Sequence, residues 1–148
     1  FKKRSYQIEH IGSTAVADLA SKPIIDIAVK FNDIAIVQEL VDPLTEVGYT
    51  YLGEFVATRC HTFYRGSPRE YNLHIVDDTT DHWRLWLRFR DTLRRRPDIR
   101  DEYQRLKADL AARYPSDRAH YTAGKTEFIE AVVGKSTASQ GPLPETPT

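Results

Sequence analysis

The sequence predicts an α+β fold: a small mixed sheet flanked by helices, with a helical C-terminal half. Three observations carry this. A short, β-branched apolar run occupies residues 24–31, and strand-like segments follow at 60–65 and 71–76. Apolar residues at helical spacing dominate from residue 81 to residue 133. Strand-type runs thus precede helix-type runs instead of alternating with them, the pattern of α+β rather than α/β domains.

The elements follow in order. Residues 1–9 are polar and basic and read as the end of a helix or a lead into the first turn. Ser13 or Thr14 is placed to cap a short helix ending near Ser21, and Lys22-Pro23 stops it, because proline cannot continue the hydrogen-bond ladder. Residues 24–31 are almost continuously apolar and read as a central strand covered on both faces. Asn32-Asp33 caps the next helix, whose apolar positions are Ile34, Val37, Leu40, Val41 and Leu44. Pro43 should kink or restart that helix, and Gly48 suits its C-terminal end. Residues 49–52, 60–65 and 71–76 read as three further strands. Gly66-Ser67-Pro68-Arg69 connects the last two as a turn, which predicts an antiparallel hairpin.

The second half is helical. Residues 81–95 place Trp83, Trp86, Leu87 and Leu93 on one broad face. Pro97 suits a first helical turn, and Ile99, Tyr103, Leu106 and Leu110 make the helix after it amphipathic. Ser116-Asp117 starts a third helix, with Tyr121, Phe128, Ile129, Val132 and Val133 as its buried side. From Ser136 the chain is Ser, Thr, Gly and Pro with little apolar content. Such a segment cannot offset the entropy of ordering, so the expected division is a domain at 1–135 and a disordered tail at 136–148. The chain reaches its first motif soon after Phe1, and an N-terminal element is expected to be missing.

The 148 residues suffice for one domain with a real core. Lys+Arg and Asp+Glu both number 21, so the formal net charge is zero, which removes the electrostatic footprint of a general nucleic-acid binder. Cys60 is the single cysteine. No intramolecular disulfide can form, and a cytoplasmic location is expected. No apolar run is long enough to span a membrane.

The chemistry concentrates at Gly12-Ser13-Thr14 and Asp26. Gly12 permits close backbone approach, the two hydroxyls follow it, and a helix start would add N–H groups, a combination suited to phosphate. Asp26 lies in an apolar strand, where a bare charge is expensive to bury and a carboxylate can instead hold Mg²⁺ against phosphate oxygens. The bland alternatives are an ordinary capping turn and an aspartate paired within the protein. The spacing resembles the nucleotidyltransferase superfamily pattern, in which this strand carries Asp-x-Asp or Asp-x-Glu. Residues two apart on a strand share a face, so two such acids can share two metals for in-line displacement at phosphorus. Here the partner position is Ala28.

A wider set of motifs is similar to the GrpB-like family. They are His10-Ile11-Gly12-Ser13-Thr14-Ala15-Val16, Lys22-Pro23-Ile24-Ile25-Asp26-Ile27, Asn72-Leu73-His74-Ile75, Phe89-Arg90-Asp91-x-Leu93, Glu102-Tyr103-x-x-x-Lys107 and Asp117-Arg118-x-x-Tyr121-Thr122-x-Gly124-Lys125-x-x-Phe128-Ile129. The resemblance implies a nucleotidyltransferase-like fold, a family without a settled biochemical role, and a coenzyme A or nucleotide context, since similar domains occur fused to dephospho-CoA kinase. It also implies that Lys125 and Arg118 reach a triphosphate and that Tyr121 stacks on a base, against the plain reading of an amphipathic helix with a solvated basic edge. The chain departs from the family at Ala17-Asp18-Leu19, where Pro-Gly-Leu is usual. This puts the loop's geometry in question and adds a charge near any phosphate.

His74 shares a strand face with Asn72 and Val76. It is a candidate base, metal ligand or phosphate contact, or else a core histidine bonded to backbone. His10 is placed to orient Asp26 or a ligand, or simply packs at a strand end. Ser13, His74 and Asp26 make a hydrolase triad only on paper, without a Gly-x-Ser-x-Gly elbow. Arg84, Arg88, Arg90, Arg94, Arg95 and Arg96 read as a solvated face, and Arg65 as the better cleft candidate. Glu54, Glu70 and Asp77 are the available second acids.

The expected function is binding of a nucleotide or related phosphate ligand with Mg²⁺. Its enzymatic form is nucleotidyl transfer from a nucleoside triphosphate to an unidentified acceptor. The alternatives are a catalytically degenerate ligand-binding or regulatory module, linked to coenzyme A metabolism, and an interaction domain without a small ligand.

Overall fold

The structure, a computed structural model, describes residues 5–56 and 58–134. The tail expected to be disordered lies outside the described residues. Five strands form one sheet: β1 (Tyr6–Ile11), β2 (Ile25–Phe31), β3 (Tyr49–Phe55), β4 (Cys60–Arg65) and β5 (Tyr71–Val76). Their order across the sheet is β1-β2-β5-β4-β3. β2 and β5 pair in parallel and every other neighbour is antiparallel. The helices are α1 (Val37–Glu46), α2 (His82–Arg95), α3 (Pro97–Arg113) and α4 (Arg118–Val133). The α+β class, the mixed sheet and the helical second half are as the sequence predicts. Among the described residues no helix is long and apolar enough to cross a membrane.

The two sheet faces differ in character. Val29, Phe31, Phe63, Leu73 and Ile75 form an apolar face that packs with Ile36 and Val37. Strand alternation sends Asp26, Ala28, Asn72, His74 and Thr62 to the opposite face. A second core joins Val16 and Leu19 to Leu93 and Tyr103, with Phe89, Ile99, Leu106 and Phe128 packed against it. Tyr103 is central there: its ring lies 5.1 Å from Phe89 edge-on and 5.4 Å from Phe128 stacked. This core ties the three C-terminal helices to the segment between β1 and β2.

Several local expectations need correction. Residues 6–11 form an edge strand that leads into the Gly12 turn, not the end of a helix. Its side chains are largely exposed, with Ile8 at 53%, so it gains order from backbone pairing with β2 and shows no clean alternation. The helix expected after Gly12 is only a 3₁₀ turn, Ser13–Ala15, with no side-chain cap. β3 extends to Phe55 because Gly53, at φ +99°, absorbs a register shift. A 3₁₀ turn precedes α1, Asp33 accepts from Ala35 N at 2.9 Å, and α1 runs through Pro43 without restarting. The Asp117 cap on α4 is as expected, accepting from His120 N at 3.1 Å.

α3 and α4 approach closely at a glycine. A methyl group added at Gly124 would meet Leu110 Cδ2 at 2.6 Å. Gly124→Leu is therefore expected to cost about 1–3 kcal/mol through overpacking, read as a lower urea midpoint at constant m-value. An unchanged midpoint would show that the helix pair does not depend on this contact.

Candidate functional site

A cleft of about 1030 Å³ opens between the polar sheet face, the Gly12 turn and the three C-terminal helices. Asp26, His74, Gly12, Ser13, Thr14, Arg118, Tyr121 and Lys125 all line it. The structure thus brings these eight residues to one cleft, although the turn reaches it by another route than a helix start. A three-residue 3₁₀ turn has no appreciable dipole to offer an anion. Its hydroxyls are also engaged: Ser13 Oγ accepts from Lys107 Nζ at 3.1 Å, and Thr14 Oγ1 bonds His10 Nε2 at 2.8 Å.

Gly12 is required where it stands. Its φ is +74°, and a Cβ there would lie 2.6 Å from Asp26 Oδ2. The Asp26 carboxylate therefore packs directly over the glycine. The parallel register places Asn72 opposite Asp26 and His74 opposite Ala28. Asn72 Nδ2 donates to Asp26 Oδ1 at 3.0 Å, and His74 Nε2 stands 3.6 Å from the same oxygen. On its other side, His74 Nδ1 lies 3.5 Å from Thr62 Oγ1. Trp86 of α2 closes over the ring at 5.6 Å.

Burial alone would push the His74 ring down from 6.5. The Asp26 carboxylate and the Cys60 thiol outweigh it and hold the ring up at about 9. The ring is therefore cationic at neutral pH and pairs with Asp26. Ser13 is not bonded to His74 but to Lys107, so the paper triad does not assemble. His10 bonds Thr14 instead of Asp26.

Lys107 is the residue that sequence reasoning missed. Its Nζ donates to Ser13 Oγ and to Ala20 O at 2.8 Å, while Gln104 Oε1 accepts from Ala20 N at 2.9 Å. α3 thus holds both ends of the turn. Burial, then the charge of Lys125, depress the Lys107 ammonium to about 8. Lys125 lies over the Tyr121 ring at 4.6 Å.

Other expectations change. Arg90 is not part of a solvated face: its guanidinium bonds Glu9 at 2.7 Å and His10 O at 2.9 Å. Arg94 Nε donates to Ala15 O at 2.8 Å. Arg65 does not reach the cleft; it lies over the Tyr71 ring at 5.9 Å, near Gly48. Asp18 adopts a left-handed φ of +60°, and its carboxylate lies 3.7 Å from Arg100, outside the cleft lining. Glu54, Glu70 and Asp77 do not line the cleft. Among the described residues no group of three or more His, Cys, Asp or Glu is arranged to hold a metal.

The sequence pattern of the family described as GrpB protein matches residues 2–135. The chain belongs to the GrpB family. A UPF0157 protein of Pseudomonas aeruginosa is 39% identical to this GrpB chain over 138 residues, covering 89% of it. The chain spans 56% of that relative's length. The crystal structure of conserved protein GrpB from Enterococcus faecalis superposes with a TM-score of 0.75 at 34% identity, over 86% of this chain and 79% of that one. A dephospho-CoA kinase of Mycolicibacterium paratuberculosis is 28% identical over 152 residues, covering 85% of this GrpB chain and 37% of the kinase.

Two outcomes test the geometry. Gly12→Ala is expected to destabilise the domain by about 2 kcal/mol, since it combines a left-handed backbone with a displaced carboxylate; equal thermal stability would contradict the close approach. NMR titration of His74 should give a midpoint near 9. The raised value makes its charge stabilising below pH 6.5, with that contribution lost as pH rises through about 9. Lys107 has the opposite sign: its burial cost is relieved between about 8 and 10.5. A His74 midpoint at or below 6.5 would refute the ion pair.

Proposed function

We propose that this domain binds a nucleotide or related phosphate ligand in the cleft and serves as a binding module, not as a nucleotidyltransferase. The observation that carries this is the charge of the lining. Lys22, Lys107, Arg118 and Lys125 line the cleft against one carboxylate among the described lining residues, Asp26, while Arg90 is paired with Glu9 and Asp91. In a chain whose formal net charge is zero, such local excess focuses a positive potential on the cleft. An anion there offsets the Lys107–Lys125 repulsion and the burial of Lys107. Tyr121, beside Lys125, offers a ring for stacking.

Two-metal chemistry does not fit the donors. Asp26 Oδ1 already faces Asn72 and His74, and a cationic His74 repels a metal. Ala28 occupies the second-acid position and is fully buried. Phosphate recognition is therefore assigned to the side chains of the turn and of α3 and α4. The relative named dephospho-CoA kinase places coenzyme A-related phosphates beside nucleotides among the ligands to screen.

Pyrophosphate or ATP at about a hundredfold excess over Kd should raise Tm by roughly 5–10 °C. Lys107→Met should remove most of that shift, and EDTA should leave it unchanged. Loss of binding in EDTA, or a nucleotidylated product detected by mass spectrometry from nucleoside triphosphate and a metabolite pool, would overturn the reading in favour of transfer.

A further inference from the structure

Asp26 presents a problem to any phosphate in this cleft. It is the single carboxylate among the described lining residues, and a carboxylate repels an anion. Its two oxygens are not equivalent. Oδ1 faces inward, taking the Asn72 amide at 3.0 Å with His74 at 3.6 Å. Oδ2 packs against Gly12, 2.6 Å from where a Cβ would stand, and the carboxylate keeps 22% of its surface exposed in the lining of the cleft. An ionised carboxylate oxygen only accepts, so what approaches Oδ2 from the cleft must carry an N–H or O–H. The next residue is Ser13, bound to Lys107. A donor at Oδ2 and a phosphate at Lys107 therefore fall within the reach of one small molecule.

The donor's charge is constrained as well. His74 stands behind Asp26 as a cation, and Lys107 and Lys125 stand in the same cleft. A ligand ammonium would enter a positive field, whereas a hydroxyl donates without added charge. We infer that Asp26 Oδ2 accepts a hydrogen bond from a hydroxyl of the bound ligand, so that the cleft selects phosphate esters of polyols, ribose included, over alkyl or inorganic phosphate. This rests on the phosphate-binding reading above and adds to it a specificity determinant. His74 and Asn72 act as positioning residues that fix which carboxylate oxygen faces the ligand.

The test compares glycerol 3-phosphate with n-propyl phosphate, two phosphate esters of similar length that differ in hydroxyls, by calorimetry or amide chemical-shift titration of the full chain. Wild type should bind glycerol 3-phosphate about fivefold tighter or more, as expected for one hydrogen bond to a charged acceptor. In Asp26→Ala the two affinities should converge, with n-propyl phosphate binding retained. Should that variant fail to fold, the His74 titration midpoint in wild type decides. It should sit lower with glycerol 3-phosphate than with n-propyl phosphate, because a donor on Asp26 weakens the carboxylate's hold on the ring. Equal affinities in wild type overturn this inference and leave phosphate binding intact. Binding of neither ester, nor of pyrophosphate, overturns both. Line broadening centred on Asp26 on adding Mn²⁺ alone would make Asp26 a cation ligand and also overturn the inference.

Discussion

The parallel pairing of β2 with β5 is the constraint on which the remaining structure depends. It sets Asp26 beside Asn72 and Ala28 beside His74. Parallel neighbours cannot be joined by a tight turn, so α1, β3 and β4 all lie in the connection between them. The connection supplies the opposite apolar face through Val37 and Phe63. It also supplies Thr62, which lies beside the far side of the His74 ring. A slip of one residue would turn Asp26 and His74 into the apolar core, where neither charge has a partner. The ion pair and the core thus enforce the same register.

The second organising feature is the fastening of one irregular segment by two helices. Between β1 and β2 the chain has only a 3₁₀ turn of regular structure. Its carbonyls and hydroxyls are met by Arg94 from α2 and by Lys107 from α3, while Val16 and Leu19 enter the helical core. The turn is shaped by long side chains reaching out of rigid helices, not by its own propensity. Gly124 then lets α4 close on α3; burial first, and the charge of Lys125 second, depress Lys107. Packing in the helical layer therefore sets the electrostatics of the cleft.

Much of this was legible in the sequence, and the failures have physical causes. The strand at residues 24–31 reads directly as an apolar run, and those at 60–65 and 71–76 read as strands on either side of the turn at 66–69. The three C-terminal helices announce themselves by period, and Asp117 by its capping position. β1 escaped because an edge strand draws its order from a neighbour and not from alternation. The hydroxyls of Ser13 and Thr14 were misread as caps because their partners, Lys107 and His10, are fixed by tertiary structure. Lys107 and Asn72 stood in the quoted motifs without a role. Their contacts span 94 and 46 residues, and no local pattern encodes such a span. Arg90 shows the same limit from the other side: a basic run on a helix hides the one guanidinium that bonds Glu9 and the His10 carbonyl of β1.

Ala28 carries a consequence for which side chains its position accepts. Its methyl group has no exposed surface, so the packing leaves no room there for a larger group. Placing a carboxylate there would enclose a charge and set it two residues from Asp26 on the same strand face. Such a change would disturb the polar row before it added a ligand to any metal. A carboxylate at position 28 would therefore require several coordinated substitutions in the surrounding packing.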